Sequence, residues 1–153
     1  MKFDSTGGCV ALFFPRPESI HFPAGKSANI LRGAFGTIFR KLPCQPDCPS
    51  ARVCAHRAHC SYARIFEPGA LEKGGPSGLA DHPRPFVFRA MHLDGKTFAP
   101  GEAFSFEMYL FDRHADTVAR LITAFELFAI DGLGPHRAKV RLANWWVCRR
   151  SRL

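Results

Sequence analysis

Acidic residues are scarce in this chain. Thirteen Asp and Glu stand against 21 Lys and Arg, a formal charge of +8 at pH 7 over 153 residues. Such a balance says nothing about fold, but it favours a polyanionic partner, either nucleic acid or an acidic membrane surface. Long apolar runs are missing too. None approaches the ~18 residues that span a bilayer, which argues against a membrane-spanning protein. The opening MKFDSTGGCVALFFPRPE has neither a basic start leading into a clean apolar stretch nor a small-residue cleavage site, so a soluble, cytoplasmic protein is expected. No internal repeat or low-complexity tract is present. What is plentiful is apolar material, 46% of the residues with 15 Phe among them, enough for the core of one domain covering residues 1–153.

The order of elements follows from where the apolar period changes. GGCVALFF, residues 7–14, is a short apolar run stopped by PRP and reads as a buried strand. Leu31, Phe35, Ile38 and Leu42 then recur at helical spacing, predicting a helix that starts near Ser27 or Asn29, either of which could cap it, and ends about Leu42. Gly33 and Gly36 weaken that helix and imply that something approaches closely. A Gly/Pro-rich connection, EPGALEKGGPSGLADHPRP, leads to FVFRAMHL at 86–93 and to AFSFEMYLF, where Phe104, Phe106, Met108 and Leu110 alternate with polar neighbours. These two runs predict a hairpin with one buried face. From Asp116 the period is helical again through Val118, Leu121, Ile122, Phe125 and Phe128, until DGLGPHR ends it. Residues 138–147, AKVRLANWWV, alternate once more and close as a strand. The sum is an α+β chain of ferredoxin-like (RRM-like) βαββαβ order: a four-stranded antiparallel sheet, two helices on one face and a Cys-rich insertion at about 43–82. Sheets of this type serve many RNA-binding proteins.

The insertion has no apolar period. It carries Cys44, Cys48, Cys54 and Cys60, with His56 and His59 between the last two thiols. Disulfides suit secreted chains, so clustered thiols without a leader point to metal. Four thiolates hold Zn²⁺ tetrahedrally and can wrap one ion from a loop lacking secondary structure of its own. A structural zinc site that replaces the missing core is the expectation. An iron–sulfur cluster, or free thiols in a mobile loop, are the alternatives, and either histidine could replace one thiolate. Cys9 and Cys148 read as inert thiols.

Basic residues fall in three groups: Arg32, Arg40 and Lys41 on the first helix, Arg52, Arg57 and Arg64 in the insertion, and Arg137, Lys139 and Arg141 after the glycines. The stretch GLGPHRAKVR is the most specific. Gly132 and Gly134 would let backbone amides come near a phosphate, with the charge of His136, Arg137 and Lys139 beside them. A plain helix end is the bland reading of the same residues.

Four stretches in order, LRGAFGTIFRKLPC, the Cys-rich run ending in CSYARIFEP, HPRPFVFR and GLGPHRAKVRL, resemble the N-terminal half of the CRISPR-associated repeat-RNA-processing endoribonucleases of the RAMP superfamily. The resemblance covers roughly Ala28 to Leu142. It implies a ferredoxin-like domain whose glycine-rich loop and basic helix hold CRISPR repeat RNA, through Arg32, Arg40, Gly132, Gly134, His136, Arg137 and Lys139. It also implies cleavage without metal, in which a ribose 2′-hydroxyl attacks the adjacent phosphate. Such chemistry needs a base, an acid for the leaving oxygen and cations for the phosphorane. Members of the family place His, Tyr or Lys around the first strand-to-helix loop; His21 and Lys26 stand there in this chain, and His136 is a second candidate. The family usually carries a second ferredoxin-like domain, and NWWVCRRSRL lies where that domain would begin. A separate second domain or other CRISPR effector subunits are therefore the implied partners. A non-catalytic guide-RNA-binding subunit is the alternative function, and a zinc-stabilised protein-interaction domain is a more distant one.

Overall fold

The computed structural model describes residues 7–15, 18–43, 48–71, 82–112 and 114–149. They form an α+β arrangement with the element order β1 (Gly7–Pro15), β2 (Ile20–His21), α1 (Ser27–Lys41), α2 (Ser61–Phe66), β3 (Phe86–Arg89), β4 (Thr97–Phe98), β5 (Phe104–Leu110), α3 (Ala115–Asp131) and β6 (Val140–Arg149). Four strands make one antiparallel sheet in the order β3-β5-β1-β6, and β2 pairs with β4 as a separate ribbon. β1 is central: Gly7 to Phe13 pair with β5, while its other edge runs along β6 with a register shift between Leu12 and Phe13. β3 and β5 pair with Phe86 opposite Leu110 and Arg89 opposite Glu107.

The alternation in β5 decides which face is dry. Phe104, Phe106 and Met108 are buried while Ser105 and Glu107 are half-buried on the other side. α1 and α3 cover the dry face: α1 packs on α3 and β3, and α3 on β6. The apolar stripe of α1 buries Leu31, Phe35, Ile38 and Phe39, and that of α3 buries Val118, Leu121, Ala124, Phe125 and Phe128. Aromatic rings dominate the interior. Phe35 stands within 6.0 Å, centroid to centroid, of the rings of Phe39, Phe66, Phe86, Phe88 and Phe125.

Several local expectations change. The strand at 86–93 stops at Arg89, and Met91–Leu93 is a 3₁₀ turn that buries Leu93. The insertion does have structure of its own: 3₁₀ turns at Ala51–Val53 and Arg57–His59, then α2. Its second half is held by packing, because Ala63, Ile65 and Phe66 of α2 are buried and Phe66 joins the aromatic core. Cys44 and residues 72–81 of the insertion lie outside the described residues. Of the two helical glycines, Gly36 does face a close neighbour, since a Cβ there would meet the Phe66 ring at 3.0 Å, while Gly33 has open space.

The start of α1 is also fixed differently. Lys26 is the N-cap and makes no side-chain cap bond. Asp94, from the turn before β4, reaches across and accepts the Ser27 amide at 3.0 Å, satisfying a donor that the helix leaves open. The Ser27 hydroxyl has one proton for two acceptors, the Ala90 carbonyl at 2.8 Å and the Asp94 carboxylate. The amide has no such competition and is the steadier donor. Hydrogen bonds from Ser27, with smaller help from the Gly25 and Lys26 amides, hold the Asp94 carboxyl below its ordinary value. A depressed carboxylate contributes stability that is present above its unfolded pKa of about 3.9 and disappears as pH falls through the folded value. Asp94→Ala should therefore lower Tm at pH 7, and the gap to the parent chain should close in acid. Parallel thermal melts down to pH 2 would check this; a gap unchanged with pH would mean that the lost cap is not electrostatic.

Candidate nucleic-acid interface

The turn after α3 is built from its glycines outward. Gly132 takes φ +79°, and its amide bonds the Phe128 carbonyl at 2.9 Å, closing the helix. Leu133 and Ala138 then exchange two backbone hydrogen bonds at 2.8 and 2.9 Å, and the Arg137 amide bonds the Gly134 carbonyl at 3.0 Å. Gly134 has φ +75° and Arg137 φ +49°. The Gly132 amide is thus committed to the helix end rather than free for a phosphate. The side chains at the tip of the turn, His136 and Arg137, are both exposed. Lys139 is exposed as well, and its ammonium donates to the Ile130 carbonyl at the C-terminal end of α3.

The structure brings this turn onto α1. A Cβ at Gly134 would lie 3.7 Å from Ile30 Cγ2, so Gly134 meets the first turns of that helix, on which Arg32 is exposed. Arg40 belongs elsewhere. It lies ten residues beyond Ile30, about 15 Å along the axis, and its guanidinium donates to the carbonyls of Cys48 at 2.9 Å and Pro49 at 3.1 Å while lying 5.8 Å from the Tyr62 ring centroid. Its visible task is to moor the Cys-rich segment.

His21 is in β2, not in an open loop, opposite Thr97 of β4. Its ring is exposed, with Nδ1 2.8 Å from the Thr97 hydroxyl, which orients the imidazole and leaves Nε2 to solvent. Lys26 is exposed at the mouth of α1. Cys48, Cys54 and Cys60 are free, half-buried thiols lining one cleft together with His56 and His59. Among the described residues no three His, Cys, Asp or Glu side chains are placed to share a metal ion.

Two polar clusters are additions to the sequence reading. On the sheet face away from the helices, Arg89 reaches the Tyr109 hydroxyl at 3.3 Å and Glu107 at 3.4 Å, with its guanidinium 5.8 Å from the Tyr109 ring centroid. The alternation of β5 already placed Glu107 and Tyr109 together; the partner across the ladder was the missing part. Before α3, Asp112 bonds His114 Nδ1 at 2.6 Å and also takes the Thr117 hydroxyl. Burial would raise the Asp112 carboxyl, but the hydrogen bonds from Thr117 and His114 outweigh it and hold it low. Nothing in a single sequence marks this contact beyond an Asp two residues before a His. Among the described residues, no helix is long and apolar enough to cross a membrane.

The family model described as AF_1859_N, N-terminal domain, matches residues 11–152. No curated protein matches the chain significantly. Among solved structures, a chain of the type III-B Cmr-beta complex bound to cognate target RNA is similar over 96% of this chain and 62% of its own, at 11% identity and TM-score 0.54. A chain of the Csm3–Csm4 subcomplex of the type III-A CRISPR-Cas interference complex is similar over 96% and 80%, at 10% identity and TM-score 0.52. A Cas6 product complex is less similar, with TM-score 0.44 and 16% identity over 93% of this chain and 40% of that one. The first two likenesses are of fold. This chain spans less than two thirds of the length of the first.

Proposed function

The chain belongs to the AF_1859_N family, in its N-terminal domain, and we propose that it is a RAMP-type module, ferredoxin-like in plan, that binds CRISPR-derived guide RNA alongside other subunits of an effector complex. The observation that carries this is the fold shared over 96% of the chain with two chains of type III CRISPR complexes, one of them bound to RNA. The charge of +8 and the exposed His136–Arg137 tip supply an anion-binding surface to go with it. In this reading the contacts are to phosphates, through His136, Arg137 and Arg32, with Gly132 and Gly134 shaping the turn that presents them.

The test is binding of labelled CRISPR repeat RNA over a range of salt. Affinity should fall with log[salt] at a slope of about 0.7 per phosphate contacted on a single strand. Arg137→Ala should weaken binding to every repeat alike and reduce that slope by about 0.7. A salt-independent affinity, or an Arg137→Ala curve that overlays the parent, would remove the proposal.

Processing of the repeat is a second reading, favoured by one observation: His21 is an exposed imidazole oriented by Thr97, with Lys26 beyond it at the start of α1. In that reading His21 takes the 2′-hydroxyl proton and Lys26 and Arg32 face the phosphorane. Incubation with repeat RNA in EDTA separates the two. A product ending in a 2′,3′-cyclic phosphate that disappears in His21→Ala supports processing; binding without cutting supports the guide-RNA subunit.

A further inference from the structure

The RNA reading leaves one cleft unexplained. It has a volume of about 590 Å³ and lies between the C-terminal end of α1, the Cys-rich segment and α3. Arg40, Arg57 and Arg120, one from each of these, line it together with His56 and His59. Among the described residues no Asp or Glu does.

Several cations elsewhere on the molecule are met by carboxylates. Arg64 bonds Asp116 at 2.9 Å, Arg89 lies 3.4 Å from Glu107, and Lys41 lies 2.6 Å from Asp131. The arginines of the cleft are held by neutral acceptors instead. Arg40 donates to the Cys48 and Pro49 carbonyls, both bonds from Nη2, and Arg57 donates to the Cys54 carbonyl from Nη1 at 3.2 Å. A guanidinium has five N–H donors and keeps its full charge in a bond to a carbonyl. Arg120 comes within 4.0 Å of Asp116 through Nε, too long for a hydrogen bond, and that carboxylate already serves Arg64. Glu67 accepts the Ala51 amide at 3.2 Å and does not line the cleft. Ser50, which does not use its side chain to cap the 3₁₀ turn that follows, adds a hydroxyl to the wall. Three guanidiniums drawn from positions 40, 57 and 120 into one hollow repel one another, and a hollow lined by one sign of charge concentrates counter-ions.

We propose that this cleft binds the phosphate group of a nucleotide, free or at the end of an RNA, with Arg40, Arg57 and Arg120 as its cationic wall and Ser50 and the two imidazoles as further donors. Planar guanidiniums match phosphate oxygens in pairs, which an ammonium does not. The volume falls inside the roughly 300–1,000 Å³ of small-molecule sites, room for one nucleotide rather than a folded strand. Arg40 has two duties here, because mooring Cys48 and Pro49 through Nη2 leaves Nε and Nη1 for the anion. The site lies at the opposite end of α1 from the glycine turn. It stands apart from the RNA contacts proposed there and survives their failure.

The experiment is calorimetric titration of the full chain with AMP, and with adenosine as the uncharged control. AMP should bind once per chain and adenosine should not. Arg57→Ala and Arg120→Ala should each weaken AMP on the order of 10-fold, and Arg57→Lys should recover only part of the loss. Arg52 is exposed in the same segment but does not line the cleft, so Arg52→Ala should titrate as the parent does. Circular dichroism of each variant separates a lost contact from misfolding. A 5′-phosphorylated repeat RNA and its 5′-hydroxyl twin identify the source of the phosphate. Preference for the phosphorylated strand, lost in Arg57→Ala, means an RNA end; equal binding of the two strands beside firm AMP binding means a free nucleotide. Failure to bind AMP, equal binding of AMP and adenosine, an Arg57→Ala chain with unchanged affinity, or an equal loss in Arg52→Ala would each overturn the site, and none of them touches the Arg137→Ala test of RNA binding.

Discussion

Phe35→Ala should be the most damaging single truncation in the molecule, lowering stability by about 4 kcal/mol. Phe35 is 1% exposed, and its ring joins four elements at once. It meets Phe39 on its own helix at 5.2 Å, Phe66 of α2 at 5.4 Å, Phe86 and Phe88 of β3 at 5.9 and 5.6 Å, and Phe125 of α3 at 6.0 Å. Two of those contacts are edge-on, an arrangement that adds about 0.5–1.5 kcal/mol per pair beyond simple burial. The surrounding rings are each held by other neighbours, so the hole cannot collapse freely. For a chain of this length about 4 kcal/mol corresponds to a fall in Tm on the order of 10 °C. Urea unfolding measures it: the midpoint should drop with the slope unchanged. Phe35→Leu, which keeps most of the volume but loses the ring, should retain most of the stability, and equal losses in the two variants would mean that ring contacts rather than filled volume are what matters there.

Gly132→Ala should come second, at about 3 kcal/mol. The backbone at φ +79° is strained for any residue with a Cβ, by roughly 1–2 kcal/mol. A Cβ there would also sit 2.2 Å from the Arg137 carbonyl oxygen and 2.5 Å from its carbon, backbone atoms that cannot swing aside. The turn must open to admit the methyl group, breaking the Leu133–Ala138 pair of hydrogen bonds. The stability loss should be accompanied by weaker RNA binding, because the same opening moves His136 and Arg137. Gly134→Ala offers the contrast: it shares the positive φ but meets only Ile30 Cγ2 at 3.7 Å. Thermal melts of the two variants should rank Gly132→Ala well below Gly134→Ala; the reverse order would exclude the backbone collision as the cause.

The parts that could be read from the sequence were those with enough residues to establish a period. Leu31, Phe35 and Ile38 marked the buried side of α1, Phe104, Phe106 and Met108 that of β5, and Leu121, Phe125 and Phe128 that of α3; all are buried. Short elements escaped because two residues of β2 or six of α2 are too few to show a repeat. α2 in particular hid inside a segment whose cysteines dominate its composition, although Ile65 and Phe66 hold it to the core. Non-local polar contacts escaped for another reason. Asp94 caps a helix 67 positions away, and only the folded chain makes that pairing visible. Among the candidate site residues, the cationic tip at 136–137 could be anticipated from charge next to glycine. The mooring of Arg40 on Cys48 and Pro49 could not, since a guanidinium bound to carbonyls and one free for phosphate look alike in one dimension.

The place of β1 in the sheet bears on how the molecule is made. Its two neighbours, β5 and β6, are both synthesised long after it, and β6 begins 125 residues beyond the end of β1. During translation the first strand must therefore wait with both rims open, a bare template for pairing with other nascent chains. Expression at low temperature or with a holding chaperone should favour soluble product, and joining β6 ahead of β1 in a circularly permuted gene would give the waiting strand an early companion.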